Sequence, residues 1–224
     1  MNRFLVIATI TIFGLAGQGA GKAQTDSVIE AVFSVAGMSC VTCANPATKA
    51  LRYIPGVLEV KVDFDSKKAT VKAKRAITRD EIRDALSTLG FEAHFPGDPV
   101  VAALSESEKA GLDIEIASNG KALRIRDHLV PDKITIFDYY ADWCGPCHLL
   151  SPKLERLLLK HQNLALRKVD IGNWETAAAK QATKEFALPG LPYVRIYGPR
   201  GKFLGTVHGN HIEKVEEIIG RSLN

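Results

Sequence analysis

The chain has 224 residues, a length that suits one large domain or two small ones. Hydrophobic residues make up 46% and charged residues 24%, which excludes a disordered or collagen-like chain. The 29 Lys and Arg residues against 25 Asp and Glu residues give a net charge of only +4 and form no dense run. The charge pattern therefore argues against a nucleic-acid-binding protein.

The first 23 residues have the layout of a secretory signal. Arg3 precedes an apolar run over 4–17, and small and polar residues follow through Ala23. This run is shorter than the roughly 18 to 20 residues that cross a bilayer. We therefore expect a signal peptide over 1–23, cleavage after Ala23 and export to the periplasm. The alternative is an uncleaved membrane anchor.

Four cysteines occur, as two Cys-x-x-Cys pairs: Cys40 with Cys43, and Cys144 with Cys147. A cross-link within such a pair closes a very short loop and removes little entropy from the unfolded chain. The spacing therefore indicates chemical rather than structural cysteines.

Residues 28–97 predict a first domain with the element order βαββαβ. Thr78, with Glu81 three residues later, has the pattern of a helix N-cap, and Gly90 ends that helix. The predicted elements are a strand at 31–37, a helix at 43–54, strands at 57–64 and 68–74, a helix at 78–89 and a strand at 91–95. This order predicts a ferredoxin-like α+β fold.

Cys40 and Cys43 lie where the first strand meets the first helix. Two thiolates at this spacing can converge on one ion, and a helix N-terminus lowers thiol pKa values. Two sulfur ligands suit a soft, low-coordinate ion, first Cu(I) and then Hg(II), whereas structural zinc needs four ligands. The alternative is a plain disulfide or redox pair.

Residues 31–95 resemble the heavy-metal-associated domain family in both motif and element order. The resemblance implies that Cys40 and Cys43 are metal ligands. It also implies that Met38 supports the metal loop from below and that Phe91 is an aromatic neighbour of that loop.

Residues 98–110 mix turn-forming, small and acidic residues, with one short stretch that could be helical. This composition is typical of a linker, which would let two domains meet without a fixed interface.

Residues 111–224 predict a second, α/β domain with a mixed sheet flanked by helices. The predicted elements are strands at 113–117, 134–141, 165–171, 193–198 and 203–209, and helices at 121–129, 147–162, 176–187 and 212–223. A Cys-x-x-Cys motif between a buried strand and a helix is typical of redox proteins.

This region resembles thioredoxin over about 110 residues. The separated features that carry the resemblance are Trp143-Cys144-Gly145-Pro146-Cys147, Asp138 six residues before Cys144, Pro152 in the following helix, and Pro192. The resemblance implies a redox-active disulfide with no organic cofactor, a buried acid at Asp138 and a cis-proline at Pro192.

Two positions depart from the family pattern. The lysine that usually pairs with the buried acid aligns with Leu166, and the segment between Asp170 and Leu188, which contains Trp174, is longer than usual. Proton transfer around Asp138 is therefore expected to differ.

Helix geometry assigns roles to the second pair. Cys144, at the exposed start of a helix, is the expected nucleophile because N–H groups stabilise its thiolate. Cys147, one turn later, would resolve the mixed disulfide. Asp138 would exchange the proton of Cys147, since a desolvated carboxylate can act as an acid or a base.

The sequence therefore predicts a periplasmic thiol:disulfide oxidoreductase, acting as a reductase, with a soft-metal-binding domain. Its partners would be protein disulfides, a metalloprotein target, and a membrane electron transporter, because the periplasm lacks a reductant pool. One rival is a metal carrier whose cysteines the second domain keeps reduced. A further rival is a membrane-tethered adaptor.

Overall fold

The computed structural model describes residues 28–99 and 101–223, so the predicted signal peptide lies outside the described residues. These described residues form two sheets, one of four strands in the first half of the chain and one of five strands in the second. Within the described ranges, no helix is both long enough and apolar enough to span a membrane.

The first sheet carries two helices and has the predicted ferredoxin-like order. Its elements are β1 (Ile29–Ala36), α1 (Ala44–Arg52), β2 (Val57–Asp63), β3 (Lys68–Ala73), α2 (Arg79–Ser87) and β4 (Glu92–His94). The strands lie in the order β2-β3-β1-β4 and pair antiparallel throughout. Phe33 and Val35 of β1 are buried with Leu51 of α1 and with Ile82 and Leu86 of α2. The apolar faces of both helices therefore meet one side of this sheet.

The predicted cap of α2 is confirmed. The Thr78 side chain accepts a hydrogen bond from the Glu81 N–H, and the Glu81 carboxylate accepts one from the Thr78 N–H at 2.9 Å. This reciprocal pair satisfies two N–H groups that the helix leaves free.

The segment between the two sheets packs onto the second half of the chain. It contains a short helix, α3 (Glu106–Lys109), and Leu104 is buried. The Arg156 guanidinium donates to the Ala102 carbonyl at 2.9 and 3.1 Å. The contact with Arg156 therefore ties this segment to the second half of the chain at Ala102.

The second sheet is mixed and covered on both faces. Its elements are β5 (Ile114–Asn119), β6 (Ile134–Tyr140), α4 (Gly145–Lys160), β7 (Leu164–Asp170), α5 (Ala177–Phe186), β8 (Tyr193–Tyr197), β9 (Phe203–His208) and α6 (Ile212–Leu223). The strand order is β5-β7-β6-β8-β9. Strands β5, β7 and β6 pair parallel, β8 pairs antiparallel with β6, and β9 pairs antiparallel with β8. Buried residues of β6 alternate between the face covered by α4 and α6 and the face covered by α5.

The predicted helix over 121–129 is wrong. Only a single 3-10 turn forms, at Ile125–His128, and Arg124 has extended backbone angles. The backbone N–H and C=O of Leu123 both bond to the Gln181 side chain, at 2.8 Å each. These bonds satisfy the polar groups without helix formation while Leu123 remains buried.

Candidate functional site

The second cysteine pair opens α4. Cys144 is the N-cap of this helix, and its Sγ accepts a hydrogen bond from the Cys147 N–H at 3.2 Å. The two cysteines form a disulfide with a Cα–Cα distance of 5.3 Å, so the structure represents the oxidised form. When the pair is reduced, the same N–H and the helix dipole favour a thiolate at Cys144.

Cys144 is only 4% exposed, and the exposed position expected from the sequence is therefore wrong. Gly145, the next residue, faces the first domain: a Cβ placed on it would overlap the Gly37 carbonyl and would lie 3.2 Å from the Ser39 Cβ. Only glycine at 145 permits this approach. The start of α4 is thus covered by the loop that leads to Cys40.

Pro192 directly precedes β8, the strand beside β6, and the Leu191–Pro192 peptide bond is cis. Tyr193 pairs with Tyr139, so Pro192 lies at the end of β6 from which the chain runs on to Cys144. The Pro192 carbonyl accepts a hydrogen bond from the Gly209 N–H at 2.9 Å. The proline loop and the start of α4 therefore border the same end of the sheet.

Trp143 lies on the surface beside the motif. Its ring N–H donates to the Gly172 carbonyl at 2.6 Å, and its ring centroid is 6.0 Å from that of Trp174. The indole is 46% exposed, so its position is suited to contact with a partner rather than to core packing.

Asp138 is buried beneath α4. It is 1% exposed, and neither carboxylate oxygen has a hydrogen-bond partner among the described residues. Burial raises the pKa of Asp138 from 3.8 to about 6, and the positive charge of Lys168 opposes that rise. Strand alternation places Asp138 on the same sheet face as Ile134 and Ile136, which α4 covers. A carboxyl that titrates near neutrality can accept and return a proton there.

The alignment that replaces the partner lysine with Leu166 is wrong. Leu166 is the register partner of Ile136, whereas Lys168 is the partner of Asp138. The Lys168 ammonium donates to the Ser151 hydroxyl of α4 at 2.5 Å. A lysine therefore does accompany the buried acid, two residues further along the chain than the alignment places it.

The first cysteine pair lies at the end of β1. A 3-10 turn, Val41–Cys43, leads from Cys40 into α1, and the two cysteines form a disulfide with a Cα–Cα distance of 5.3 Å. Cys40 is exposed and Cys43 is half-buried. The hydroxyl of Thr42 lies 3.2 Å from the Cys40 Sγ.

Met38 and Phe91 are both buried under the loop that carries Cys40. The Lys67 ammonium donates to the Met38 carbonyl at 3.1 Å. No local sequence pattern predicts this contact, because 29 residues separate the two. Within the described ranges, no cluster of three His, Cys, Asp or Glu side chains could hold a metal ion. Once reduced, Cys40 and Cys43 offer two sulfurs, a donor set that fits a soft, low-coordinate ion.

Family comparisons agree with the two-part architecture. The heavy-metal-associated domain model matches residues 32–92, and the thioredoxin model matches residues 124–220. Thioredoxin-1 of Caenorhabditis elegans is 40% identical over 95 residues, which cover 42% of this chain and 69% of the worm protein. The chain belongs to the thioredoxin family.

Two further proteins are similar to smaller parts of this chain. Mitochondrial thioredoxin-2 of Schizosaccharomyces pombe is 31% identical over 90 residues, which cover 40% of this chain and 63% of that protein. A solution structure of a copper-bound CopA variant from Bacillus subtilis is 26% identical, covers 33% of this chain and 97% of that protein, and has a TM-score of 0.30.

The family assigns the chemistry of the second domain, which is that of a thiol:disulfide oxidoreductase of thioredoxin type. This domain is fused to a heavy-metal-associated domain of ferredoxin-like fold. Both the fold class and the enzyme class predicted from the sequence are therefore confirmed.

Proposed function

We propose that this protein is a periplasmic thiol:disulfide reductase whose amino-terminal domain binds Cu(I) or Hg(II). The observation that carries the proposal is the Cys144–Cys147 disulfide at the N-terminus of α4, between the cis-Pro192 loop and the buried Asp138. The Gly145-Pro146 dipeptide between the cysteines is similar to that of reducing members of the family.

The reaction begins with the reduced pair. The Cys144 thiolate attacks one sulfur of a substrate disulfide, a mixed disulfide forms, and the other substrate sulfur leaves as a thiolate. Asp138 accepts the Cys147 proton, and the Cys147 thiolate then attacks the Cys144 sulfur. The second substrate sulfur leaves and takes up a proton. The substrate gains two electrons, and Cys144 and Cys147 return to the disulfide.

A new cycle requires an external dithiol donor. We propose a membrane electron transporter for this role, because the periplasm has no thiol pool comparable with glutathione. The signal layout of residues 1–23 supports this location. Cell fractionation, together with the mass of the mature chain, tests it: a periplasmic protein beginning at Gln24 is expected, and a cytoplasmic protein that retains Met1 would contradict it.

The metal assignment predicts a stoichiometry for the intact chain. The Cys144→Ser/Cys147→Ser variant, once reduced, is expected to bind one Cu(I) through two sulfurs and to bind Zn(II) far more weakly. X-ray absorption and competition with a chromophoric chelator measure both properties. The matched control, Cys40→Ser/Cys43→Ser with the second pair alkylated, should bind neither ion tightly. Nitrogen or oxygen ligands in the copper complex, or a preference for zinc, would contradict the assignment.

A second candidate function is a metal carrier that the thioredoxin domain keeps reduced. The approach of Gly37 and Ser39 to Gly145 favours it, because the two cysteine pairs occupy neighbouring loops. Two parallel assays separate the candidates. A reductase turns over protein disulfides whether or not metal is present, whereas a carrier transfers Cu(I) to an acceptor and reduces external disulfides poorly.

A further inference from the structure

Three close approaches, two at the loop that carries Cys40 and one at the turn between α2 and β4, bring the first domain onto the start of α4. The Gly37 carbonyl lies against Gly145. A Cβ placed on Gly37 would come within 3.0 Å of the Leu149 side chain, and a Cβ placed on Gly90 would come within 2.9 Å of the Pro146 ring. Gly37 and Gly90 both have positive φ angles, so the first domain presents two side-chain-free turns to the helix.

A polar cluster of Glu92, Lys153 and Asn210 also joins the first domain to the second. The Lys153 ammonium of α4 forms an ion pair with the Glu92 carboxylate of β4. The Asn210 side-chain amide also donates to Glu92, at 2.7 Å. The Lys153 side chain is 19% exposed and that of Glu92 is 25% exposed, so solvent screens this pair less than it would an exposed one.

The cluster reaches the second element that flanks Cys144. Asn210 follows Gly209, whose N–H donates to the Pro192 carbonyl. The first domain therefore contacts α4 directly and, through Asn210, the loop that holds the cis-proline. These are the two edges of the surface in which Cys144 lies, and Cys144 is 4% exposed.

Sequence adjacency brings the two disulfides to this surface. Cys40 directly follows Ser39, and Cys144 directly precedes Gly145, the residue whose Cβ position lies 3.2 Å from the Ser39 Cβ. Cys40 is also the exposed member of its pair. The residues next to Cys40 and Cys144 are therefore in contact, which holds the two pairs at a high effective concentration relative to each other.

We propose that the heavy-metal-associated domain is the resident disulfide substrate of the thioredoxin domain, positioned by the Glu92–Lys153–Asn210 cluster. The inference rests on the proposed reductase function and goes beyond it by naming a substrate and its docking surface. The Cys144 thiolate attacks the Cys40–Cys43 disulfide and joins one of its sulfurs, and the other leaves as a thiolate. The Cys147 thiolate then attacks Cys144, which releases the second sulfur.

The step balances within the chain. The first pair gains two electrons and becomes a dithiol able to bind metal, while the second pair loses two electrons and becomes a disulfide. An external dithiol donor restores the second pair. Because the first domain covers the surface around Cys144, external protein disulfides must displace it before they can react.

The test uses the full chain carrying Cys147→Ser, with Cys40 and Cys43 oxidised and Cys144 reduced. An internal mixed disulfide is expected to form at a rate independent of protein concentration. Peptide mapping by mass spectrometry under non-reducing conditions identifies the cross-link between the peptide of Cys144 and that of Cys40 or Cys43. Only concentration-dependent cross-links between chains, or none at all, would overturn the proposal.

Charge variants on this background test the docking cluster. Glu92→Lys and Lys153→Glu should each slow the internal reaction about tenfold or more, because each places like charges together. Each should also raise the rate at which Cys144 attacks insulin. The double variant Glu92→Lys/Lys153→Glu restores the pairing with opposite polarity and should recover most of the internal rate. Unchanged internal rates in both single variants would overturn the proposed positioning role.

The insulin reaction separates two kinds of failure. If Cys144 attacks neither insulin nor the first pair, the proposed reductase function fails. If Cys144 attacks insulin but never the first pair, the reductase function stands and the docking inference fails. Thermal unfolding of each charge variant confirms that it is folded before its rates are compared.

Discussion

Replacement of Cys144 by serine is expected to lower disulfide reduction by roughly 10³-fold or more, to the uncatalysed rate, because no other sulfur occupies the N-cap of α4. Cys147 is not expected to take over the attack, since it lies inside α4, whereas the helix N-terminus stabilises a thiolate at the N-cap position of Cys144. Turbidity from reduced insulin, with dithiothreitol as the donor, measures the loss.

The companion variant Cys147→Ser has a different expected outcome. It retains the nucleophile and lacks the resolving thiol, so mixed disulfides on Cys144 should accumulate. Non-reducing gel electrophoresis measures this accumulation. The Cys144→Ser protein, treated in the same way, is the matched control. Equal accumulation in both variants would contradict the assigned order of attack.

Asp138→Asn is expected to change stability in a pH-dependent manner. Burial raises the pKa of Asp138 to about 6 in the folded oxidised protein, against 3.8 for an ordinary aspartate. The folded chain therefore keeps a proton that the unfolded chain releases, and wild-type stability falls as pH rises from about 4 to about 6. The difference between these two pKa values corresponds to a change of about 3 kcal/mol in the free energy of unfolding. The variant cannot ionise, so its stability relative to wild type should be greater at pH 7 than at pH 4 by about this amount.

Denaturant unfolding of the oxidised proteins between pH 4 and pH 8 measures this difference. Asp142→Asn, which removes an exposed carboxylate close to the same motif, is the matched control. A pH-independent difference in stability between Asp138→Asn and wild type would rule out the raised pKa.

In reduction assays above pH 6, Asp138→Asn should also slow resolution of the mixed disulfide by roughly a hundredfold, because the base is lost.

Most elements of the fold follow from local patterns in the sequence. Alternating residues predict β2 and β3, and the reciprocal cap at Thr78 predicts the start of α2. The predicted helix at 121–129 fails because Gln181, nearly 60 residues away in the chain, satisfies the backbone of Leu123. No local sequence pattern predicts the contact between Leu123 and Gln181.

The site likewise has features that local sequence patterns predict and features that depend on contacts between distant residues. The motif predicts the cysteines and the helix that Cys144 caps, because the signals lie within a few residues of one another. The pairing of Asp138 with Lys168 depends on the register between two parallel strands, which no local pattern in the sequence determines. The cluster of Glu92, Lys153 and Asn210 joins residues 61 and 118 positions apart, and it formed no part of the sequence prediction. The burial of Cys144 likewise depends on how the two domains meet, which no local pattern in the sequence determines.

The central claim is that disulfide reduction is carried out by Cys144 and Cys147, while Cys40 and Cys43 serve the metal-binding domain. The most direct measurement is the insulin reduction rate of the full-length Cys40→Ser/Cys43→Ser protein with dithiothreitol as the donor. Because these substitutions leave the catalytic pair and the docking cluster in place, the rate should stay within about twofold of wild type. A loss comparable with that of Cys144→Ser would mean that the four cysteines form one active centre and would contradict the claim.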